Sequence, residues 1–479
     1  MDQSIKPSFN FVNIKHPDDL KDEETQLRIR RLAMTEVGKA RRKPRIKRGR
    51  DKIILELRDT TQRPPHIERL SSGSVDPFSR YPIELDDESR YLLSNIFSEG
   101  THSSQLRGSW FPVGLDSPAA FHHALANSQN FIFQQMNGFY PSQDNAQALA
   151  HHQKALSLAR KLMSDPAKHT SNEALGTIVS FTCHHALLGS FAGGEYKKHQ
   201  DALLKMIELK GGFDSIDWEP LRITVSWSDL IGSFAQDLPP TVPLPCKWEV
   251  DSRSPPGSPR PHNSMSLMWK QQSPMRLDWV TIFDDIVQLI SLDRAFNEQQ
   301  FELAVTSGSW IEPTVYRLLA IRPLQFGYDR EHILEEVCRL GTLLFLAPFW
   351  RVLGLSIVRT AAISRNLLLV LLQYKTEWNE IKPLLVWTLY SAAIETIDLA
   401  ERSQYVFMLA MVMSGMQLEN WSELLDVVKG VLWVDGVFAG SDDLIRDEVM
   451  SIVSQKSSAQ VLREEPDIFE GGLGLLEDA

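Results

Sequence analysis

The spacing of apolar residues predicts helix along almost the whole chain after about residue 80, and almost no strand. From Asn145 to Met163, apolar residues recur at the three- and four-residue intervals of one helical face. Asp165-Pro166 then ends the pattern, because proline lacks the backbone donor that a continuing helix needs. The sequence therefore predicts a helix between these limits.

Two more helices are predicted directly after it. Ser171 is placed to cap the N-terminus of the first, and Gly193-Gly194 is expected to close it. The second runs from about Glu195 to Leu209 and ends at Gly211-Gly212, since glycine adopts the left-handed conformation of a helix C-cap. Three consecutive helices with short connections predict an antiparallel helical layer.

A proline-rich stretch, 238–262, separates this layer from the rest of the chain. Its prolines remove backbone donors, so the sequence predicts an exposed loop or a disordered insert. The helical pattern resumes near Met275 and continues to about Gln460. Within it, Leu384–Leu399 and Tyr405–Met416 are apolar enough to be central helices of the core.

The most apolar stretch, Leu343–Val358, is interrupted by Pro348 and Arg351. It is too short and too charged for a membrane span, so we expect a buried helix pair and no membrane association. The fold predicted from these patterns is all-α. It is an irregular antiparallel helical bundle or stack over 76–479, preceded by a basic, largely disordered arm over 1–75 that contains a short helix.

Charge is distributed unevenly along the chain. The segment Arg28–Lys52 has 12 positive and 2 negative side chains, which leaves 38 Lys and Arg against 59 Asp and Glu from totals of 50 and 61. The remainder therefore has a net charge of about −21, whereas the whole chain has −11. An arm of this kind suits phosphate backbones or an acidic import receptor, and the body does not.

Within the arm, one cluster is the candidate site. A cluster of this composition is typical of a nuclear-import signal, and a DNA-contacting arm remains open as the alternative. Pro44 limits any helix through it, so contact with DNA would be with phosphates and would be largely independent of sequence. The residues assigned to import or phosphate binding are Arg41, Arg42, Lys43, Arg45, Lys47, Arg48 and Arg50.

Enzyme motifs are not found in the sequence. It contains no Walker A loop, no H-E-x-x-H zinc motif and no G-x-S-x-G nucleophile elbow, which argues against an enzyme and against a cofactor. The three cysteines, Cys183, Cys246 and Cys338, lie too far apart for a cysteine-based zinc cluster and indicate a reducing compartment. Cys183 is adjacent to His184, but neighbours on a helix do not face each other, so we expect a buried structural thiol.

Three pairs of adjacent histidines, His122-His123, His151-His152 and His184-His185, raise the question of a metal. Adjacent residues on a helix point about 100° apart and do not easily bind one ion together. Taken pair by pair, they indicate ordinary core or surface histidines, and no metal site is assigned.

Several blocks resemble a known family. Phe9–Lys43, the motif DPFSRYPIEL at Asp76–Leu85, the block His151–Phe213 and KPLLVWTLYSAA at Lys382–Ala393 occur in the order found in fungal transcription-factor-like proteins, some of which are named tachykinin family. His199 and Gly211-Gly212 stand where the helical middle region of fungal-specific transcription factors has a histidine-bearing helix and a Gly-Gly stop.

The resemblance implies a nuclear, all-α regulatory domain that takes part in control of transcription. The binuclear zinc cluster of that family is missing, because it needs six cysteines and the chain has three. We therefore expect a nuclear regulator that binds protein partners such as the transcription machinery or co-regulators and contacts DNA, if at all, through the arm. The alternative is a cytosolic helical scaffold without a DNA role.

Overall fold

The computed structural model describes residues 81–97, 110–246, 248, 311–352, 357–374, 376–433, 435–438 and 440–464. Of these residues 76% are helical and none lies in a strand, so the predicted all-α fold is confirmed for the part described. The arm and its boundary at residues 75 and 76 lie outside this part, as does the region 251–310. No described helix is long and apolar enough to cross a membrane.

Fourteen α-helices make up the described part. The first seven are α1 (Asp87–Phe97), α2 (Trp110–Asp116), α3 (Pro118–Asn137), α4 (Ala146–Leu162), α5 (Asn172–Leu188), α6 (Glu195–Lys210) and α7 (Glu219–Gln236). The others are α8 (Glu312–Ala320), α9 (Arg330–Val352), α10 (Ala361–Gln373), α11 (Lys382–Glu395), α12 (Leu399–Gly415), α13 (Trp421–Val431) and α14 (Arg446–Glu464). A single helical turn, Asp435–Phe438, lies before the last helix. One continuous apolar core joins both sets of helices.

Local capping residues fix several helix ends where the sequence predicts them. The Asn145 side chain accepts a hydrogen bond from the backbone N–H of Ala148 at the start of α4, and Ser171 does the same for Ala174 at the start of α5. Gly211 ends α6 at a φ of 111°, in the left-handed region. These three limits are confirmed because they depend on residues within one turn.

The predicted end of α5 at Gly193-Gly194 is wrong. The helix stops at Gly189, whose φ is 75°, and the carbonyl of Leu187 in its last turn accepts a hydrogen bond of 2.7 Å from the Arg359 guanidinium. A Cβ at Gly189 would collide with that guanidinium. A side chain 172 residues away along the chain thus helps to place this helix end.

The predicted helix pair at Leu343–Val358 is also wrong, although the stretch is buried as expected. Helix α9 continues through Pro348 to Val352, and residues 343–350 are almost all inaccessible to solvent. Proline at this position removes a single intrahelical hydrogen bond, and packing on every side of the helix outweighs that loss.

The proline-rich stretch 238–262 is only partly described. Its first residues, Leu238 and Pro239, are exposed and non-helical as predicted, but Val242 and Trp248 are buried. The backbone N–H groups of Thr241 and Val242 donate to Asp229 at 2.8 and 3.0 Å. Val242 is 5% exposed, and Trp248 is fully buried. A buried carboxylate and an apolar anchor therefore hold this part of the loop against α7.

Gly232 lets α6 and α7 approach closely. A Cβ at this position would overlap the hydroxyl and ring of Tyr196, which is 1% exposed and donates to the Ser228 carbonyl at 3.1 Å. We expect Gly232→Ala to lower the free energy of unfolding by about 1–3 kcal/mol, because a packed ring must move. Urea unfolding followed by circular dichroism measures the change.

Gly430, in α13, is a matched control. It is exposed, and a Cβ there would meet no atom within 4 Å. Gly430→Ala should raise stability by up to about 1 kcal/mol, because alanine is the better helix former. Equal effects of the two substitutions would contradict the role assigned to Gly232.

Candidate functional site

The three histidine pairs of the sequence meet inside the helical layer. They come from α3, α4 and α5, and α6 adds His199. Contacts along these helices set the register: Gln129 bonds Gln147 and His122 bonds His151, so α3 and α4 run antiparallel. The cluster thus brings together seven of the thirteen histidines of the chain, which are His122, His123, His151, His152, His184, His185 and His199.

Each pair is divided between two groups, because adjacent helical residues point in different directions. His122 and His151 contact one another, with their Nδ1 atoms 3.0 Å apart. The second members of the first two pairs and the first member of the third form an inner group with ring centroids 4.9–5.2 Å apart: His123, His152 and His184. We call these three the inner histidines.

A carboxylate lies against the inner histidines. Asp144 directly precedes Asn145, the residue that caps α4, and its side chain is 7% exposed. Its Oδ2 lies 2.9 Å from Nε2 of His184 and 3.8 Å from Nδ1 of His152. Burial raises the pKa of Asp144, but the hydrogen bond and charge of His184 outweigh burial and hold the pKa below its usual value. The carboxylate is ionised at neutral pH.

Two amide side chains orient these groups. Nδ2 of Asn130 donates to Oδ1 of Asp144 at 2.8 Å, which leaves Oδ2 to face the histidines. Oδ1 of Asn127 lies 2.7 Å from Nδ1 of His184 and accepts a hydrogen bond from it. The Nε2 atom of His184 is thereby directed at Asp144, and the ring is fixed from both sides.

Most of the histidines are neutral at pH 7. Burial, and then the proximity of His184, lowers the pKa of His152 to about 4 and that of His185 to about 3. Burial also lowers the pKa of His123 well below its ordinary value. A neutral imidazole has one nitrogen with a free lone pair, which is the form that binds metal ions.

Several of these nitrogens have no hydrogen-bond partner within the described ranges. These buried nitrogens are His123 Nε2, His152 Nδ1 and His185 Nδ1. Leaving a buried polar atom unsatisfied costs roughly 1–3 kcal/mol. Three such atoms in one cluster are unfavourable for folding, and a bound ligand would satisfy those that it reaches.

The geometry of one subset suits a metal ion. Asp144, His152 and His184 each offer one ligand atom, and these atoms lie within 4.8 Å of one another. The adjacent pairs in the sequence do not indicate this arrangement. It takes one histidine from each of two pairs, His152 and His184, and adds Asp144, which lies between two helices. The signal in the sequence is the concentration of eight histidines between residues 122 and 199, seven of which join the cluster.

The other residues singled out in the sequence do not join this cluster. Arg41, Arg42, Lys43, Arg45, Lys47, Arg48 and Arg50 lie outside the described residues. Cys183 is a buried thiol, as predicted: it is 1% exposed, and burial raises its pKa well above the ordinary value. It is therefore a poor nucleophile and a poor metal ligand.

Comparison with known proteins identifies no relative. No protein-family model matches the chain, and neither a curated protein nor a solved structure matches it significantly. The resemblance to fungal transcription-factor-like proteins stays a prediction.

Proposed function

We propose that this protein is a nuclear regulator whose helical body binds an effector at the histidine cluster and whose basic arm serves import and attachment to phosphates. The observation that supports the effector-binding role is the buried histidine cluster beside Asp144. Several of its nitrogens have no hydrogen-bond partner among the residues described. Such a site is unfavourable in an empty core and favourable once a ligand satisfies it.

The charge distribution supports the nuclear part of the proposal. Arg28–Lys52 has 12 of the 50 basic side chains, and the remaining chain is strongly acidic. An acidic body is repelled by nucleic acid, so a nuclear role depends on the arm for both import and any phosphate contact. Partners of the body would be proteins, such as co-regulators or the transcription machinery.

A second candidate function, a cytosolic scaffold that acts by association alone, is favoured by one surface. Helix α12 presents exposed apolar side chains at multiples of four residues, which are Leu399, Phe407 and Met411. An apolar stripe on one helical face is typical of a protein-binding surface. Both candidates use the helical body, and they differ in where the protein is located.

Localisation therefore tests the proposal. We expect a fluorescent fusion of the full chain to be nuclear. Replacing the cationic cluster with alanine should move it to the cytoplasm without touching the apolar core. The substituted residues are Arg41, Arg42, Lys43, Arg45, Lys47 and Arg48.

A charge-matched variant is the control for this experiment. It replaces six exposed lysines of the body with alanine: Lys154, Lys161, Lys168, Lys197, Lys198 and Lys205. This variant should stay nuclear, because it loses the same charge outside the arm. Cytoplasmic fluorescence of the unsubstituted chain would favour the scaffold, whereas nuclear fluorescence that persists after loss of the arm cluster would show that the cluster is not the import signal.

A further inference from the structure

We propose that Asp144, His152 and His184 bind one divalent transition-metal ion of the zinc class, and that this ion is the effector of the helical body. That the ion acts as an effector rests on the proposed function. The metal site itself rests on geometry alone. Its three ligands come from the segment before α4, from α4 and from α5.

The distances fit a single tetrahedral ion. Two ligand atoms that each lie about 2.1 Å from one ion are roughly 3.4 Å apart at the tetrahedral angle. The Asp144 Oδ2 atom lies 2.9 Å from His184 Nε2 and 3.8 Å from His152 Nδ1, which brackets that value. Ring centroids of two histidines on one such ion are about 5 Å apart. Those of His152 and His184 are 4.9 Å apart.

The ligand atoms are prepared for a cation. Nδ1 of His184 donates to Asn127, so Nε2 is the nitrogen that faces the Asp144 carboxylate, at 2.9 Å, and an ion between them would take the place of this hydrogen bond. Nδ1 of His152 is buried without a hydrogen-bond partner within the described part of the chain, although the same carboxylate is near. An ion placed among the three would satisfy all of these atoms at once.

Supporting side chains hold the ligands as in other metal sites. Asn127 fixes the His184 ring, and Asn130 fixes the Asp144 carboxylate through its other oxygen. Hydrogen bonds of this kind set the orientation of histidine and carboxylate ligands. His185 lies beside His152, with ring centroids 5.6 Å apart, but it is not one of the three residues whose ligand atoms lie within 4.8 Å of one another, so the fourth position is left to water.

The chemistry of the ligands selects the ion. Two imidazoles and one carboxylate suit Zn²⁺, Co²⁺ or Ni²⁺, whereas Mg²⁺ and Ca²⁺ prefer oxygen ligands alone. Cys183 is not among the residues whose ligand atoms lie close together, so the group offers only nitrogen and oxygen and does not suit Cu⁺ or an iron–sulfur cluster.

Binding would join three elements of the helical layer. The ion would tie the start of α4 to α5 and to the middle of α4 itself, next to the His185–His199 stack with α6. Because an ion that binds only the folded state stabilises it, metal level would control the order of this layer. That is the sense in which the ion would act as an effector.

The test uses the full chain without a polyhistidine tag, stripped with a chelator and titrated with Zn²⁺ against a chromophoric competitor. We expect one ion per chain with a Kd below about 1 µM. His152→Gln should weaken binding by about a hundredfold or more, and Asn127→Ala by roughly tenfold or more, since it removes only the support of His184. Co²⁺ should give the visible absorption of a tetrahedral site.

His332→Gln is the matched control, because His332 lies 2.7 Å from the carboxylate of Asp329 but outside the cluster. It should leave the Zn²⁺ affinity unchanged. His184→Gln removes a fully buried ligand, so its effect on binding is interpreted only together with its effect on folding. Nδ1 of His152 has no hydrogen-bond partner within the described residues and the side chain is partly exposed, so His152→Gln tests the ligand with little effect on folding, which circular dichroism verifies.

Two results would overturn the inference: no Zn²⁺ bound at micromolar concentration, or an affinity that His152→Gln does not change. Neither would affect the nuclear role, which the localisation of the fusion measures separately. Conversely, a cytoplasmic fusion that binds Zn²⁺ through these ligands would leave the site intact and refute the proposed function.

Discussion

Asp237→Asn is expected to lower the free energy of unfolding by about 3–5 kcal/mol, the effect of breaking a buried ion pair. Asp237 follows the last residue of α7 and accepts two hydrogen bonds from Arg339, at 2.7 and 3.1 Å. It also accepts bonds from Arg322 and Asn366. Arg339 is 0% exposed and retains only Glu336 when this carboxylate is neutralised.

Asparagine is the right substitution because it isolates the charge. Asp237 has a φ of 51°, and asparagine tolerates the left-handed region as well as aspartate does. Asp201→Asn, which breaks the exposed pair with Lys197 in α6, is the control and should change stability by less than about 1 kcal/mol. Chemical denaturation of both variants measures the difference. Similar losses would mean that the buried network does not hold α7 against α9.

The pH dependence of this difference has a definite sign. Burial raises the pKa of Asp237, but the hydrogen bonds and charges of Arg339 and Arg322 outweigh burial and place the pKa below the ordinary value of 3.8. A lowered pKa contributes stability that is fully present above 3.8 and is lost as pH falls through the lower folded value. The difference in free energy of unfolding between the unsubstituted chain and Asp237→Asn should therefore be largest at neutral pH and decrease in acid.

If the basic arm contacts DNA, its affinity will fall about a thousandfold between roughly 50 and 200 mM salt, as expected when about six phosphates are neutralised. The arm is almost entirely Arg and Lys around Pro44, and it has no zinc cluster to orient it on base edges. Fluorescence anisotropy at several salt concentrations gives the slope of log affinity against log salt concentration. Scrambled and genomic duplexes should compete almost equally.

The six-residue alanine variant of the arm is the control and should lose most of that slope. A duplex preferred about a hundredfold over scrambled competitor near physiological salt would contradict the account. That result would mean that another part of the chain reads bases.

Sequence predicts the helices well where their limits depend on nearby residues. Ser171 and Gly211 cap helices as predicted, and the helix predicted from Asn145 begins there, because each acts on backbone groups within one turn. Gly193-Gly194 failed as a helix end because Arg359, far away in sequence, favours the earlier stop at Gly189. Local patterns do not contain that contact.

The candidate site was less predictable, for the same reason. Its histidines are visible in the sequence, but their meeting depends on the register of α3 and α4 and on how α5 packs against both. Asp144 gave no signal of its own, since it lies in a connection rather than on a periodic face. The sequence shows three pairs of adjacent histidines, and only the three-dimensional arrangement places a carboxylate beside them.

X-ray absorption at the zinc edge of the full chain tests the central claim, that a metal ion binds at Asp144, His152 and His184. We expect a first shell of nitrogen and oxygen atoms at about 2.0–2.1 Å with the multiple scattering of at least two imidazoles, and no sulfur. His152→Gln should remove one imidazole. A sulfur atom at about 2.3 Å, or a shell of oxygens alone, would contradict the claim, because the ion would then lie outside the histidine cluster.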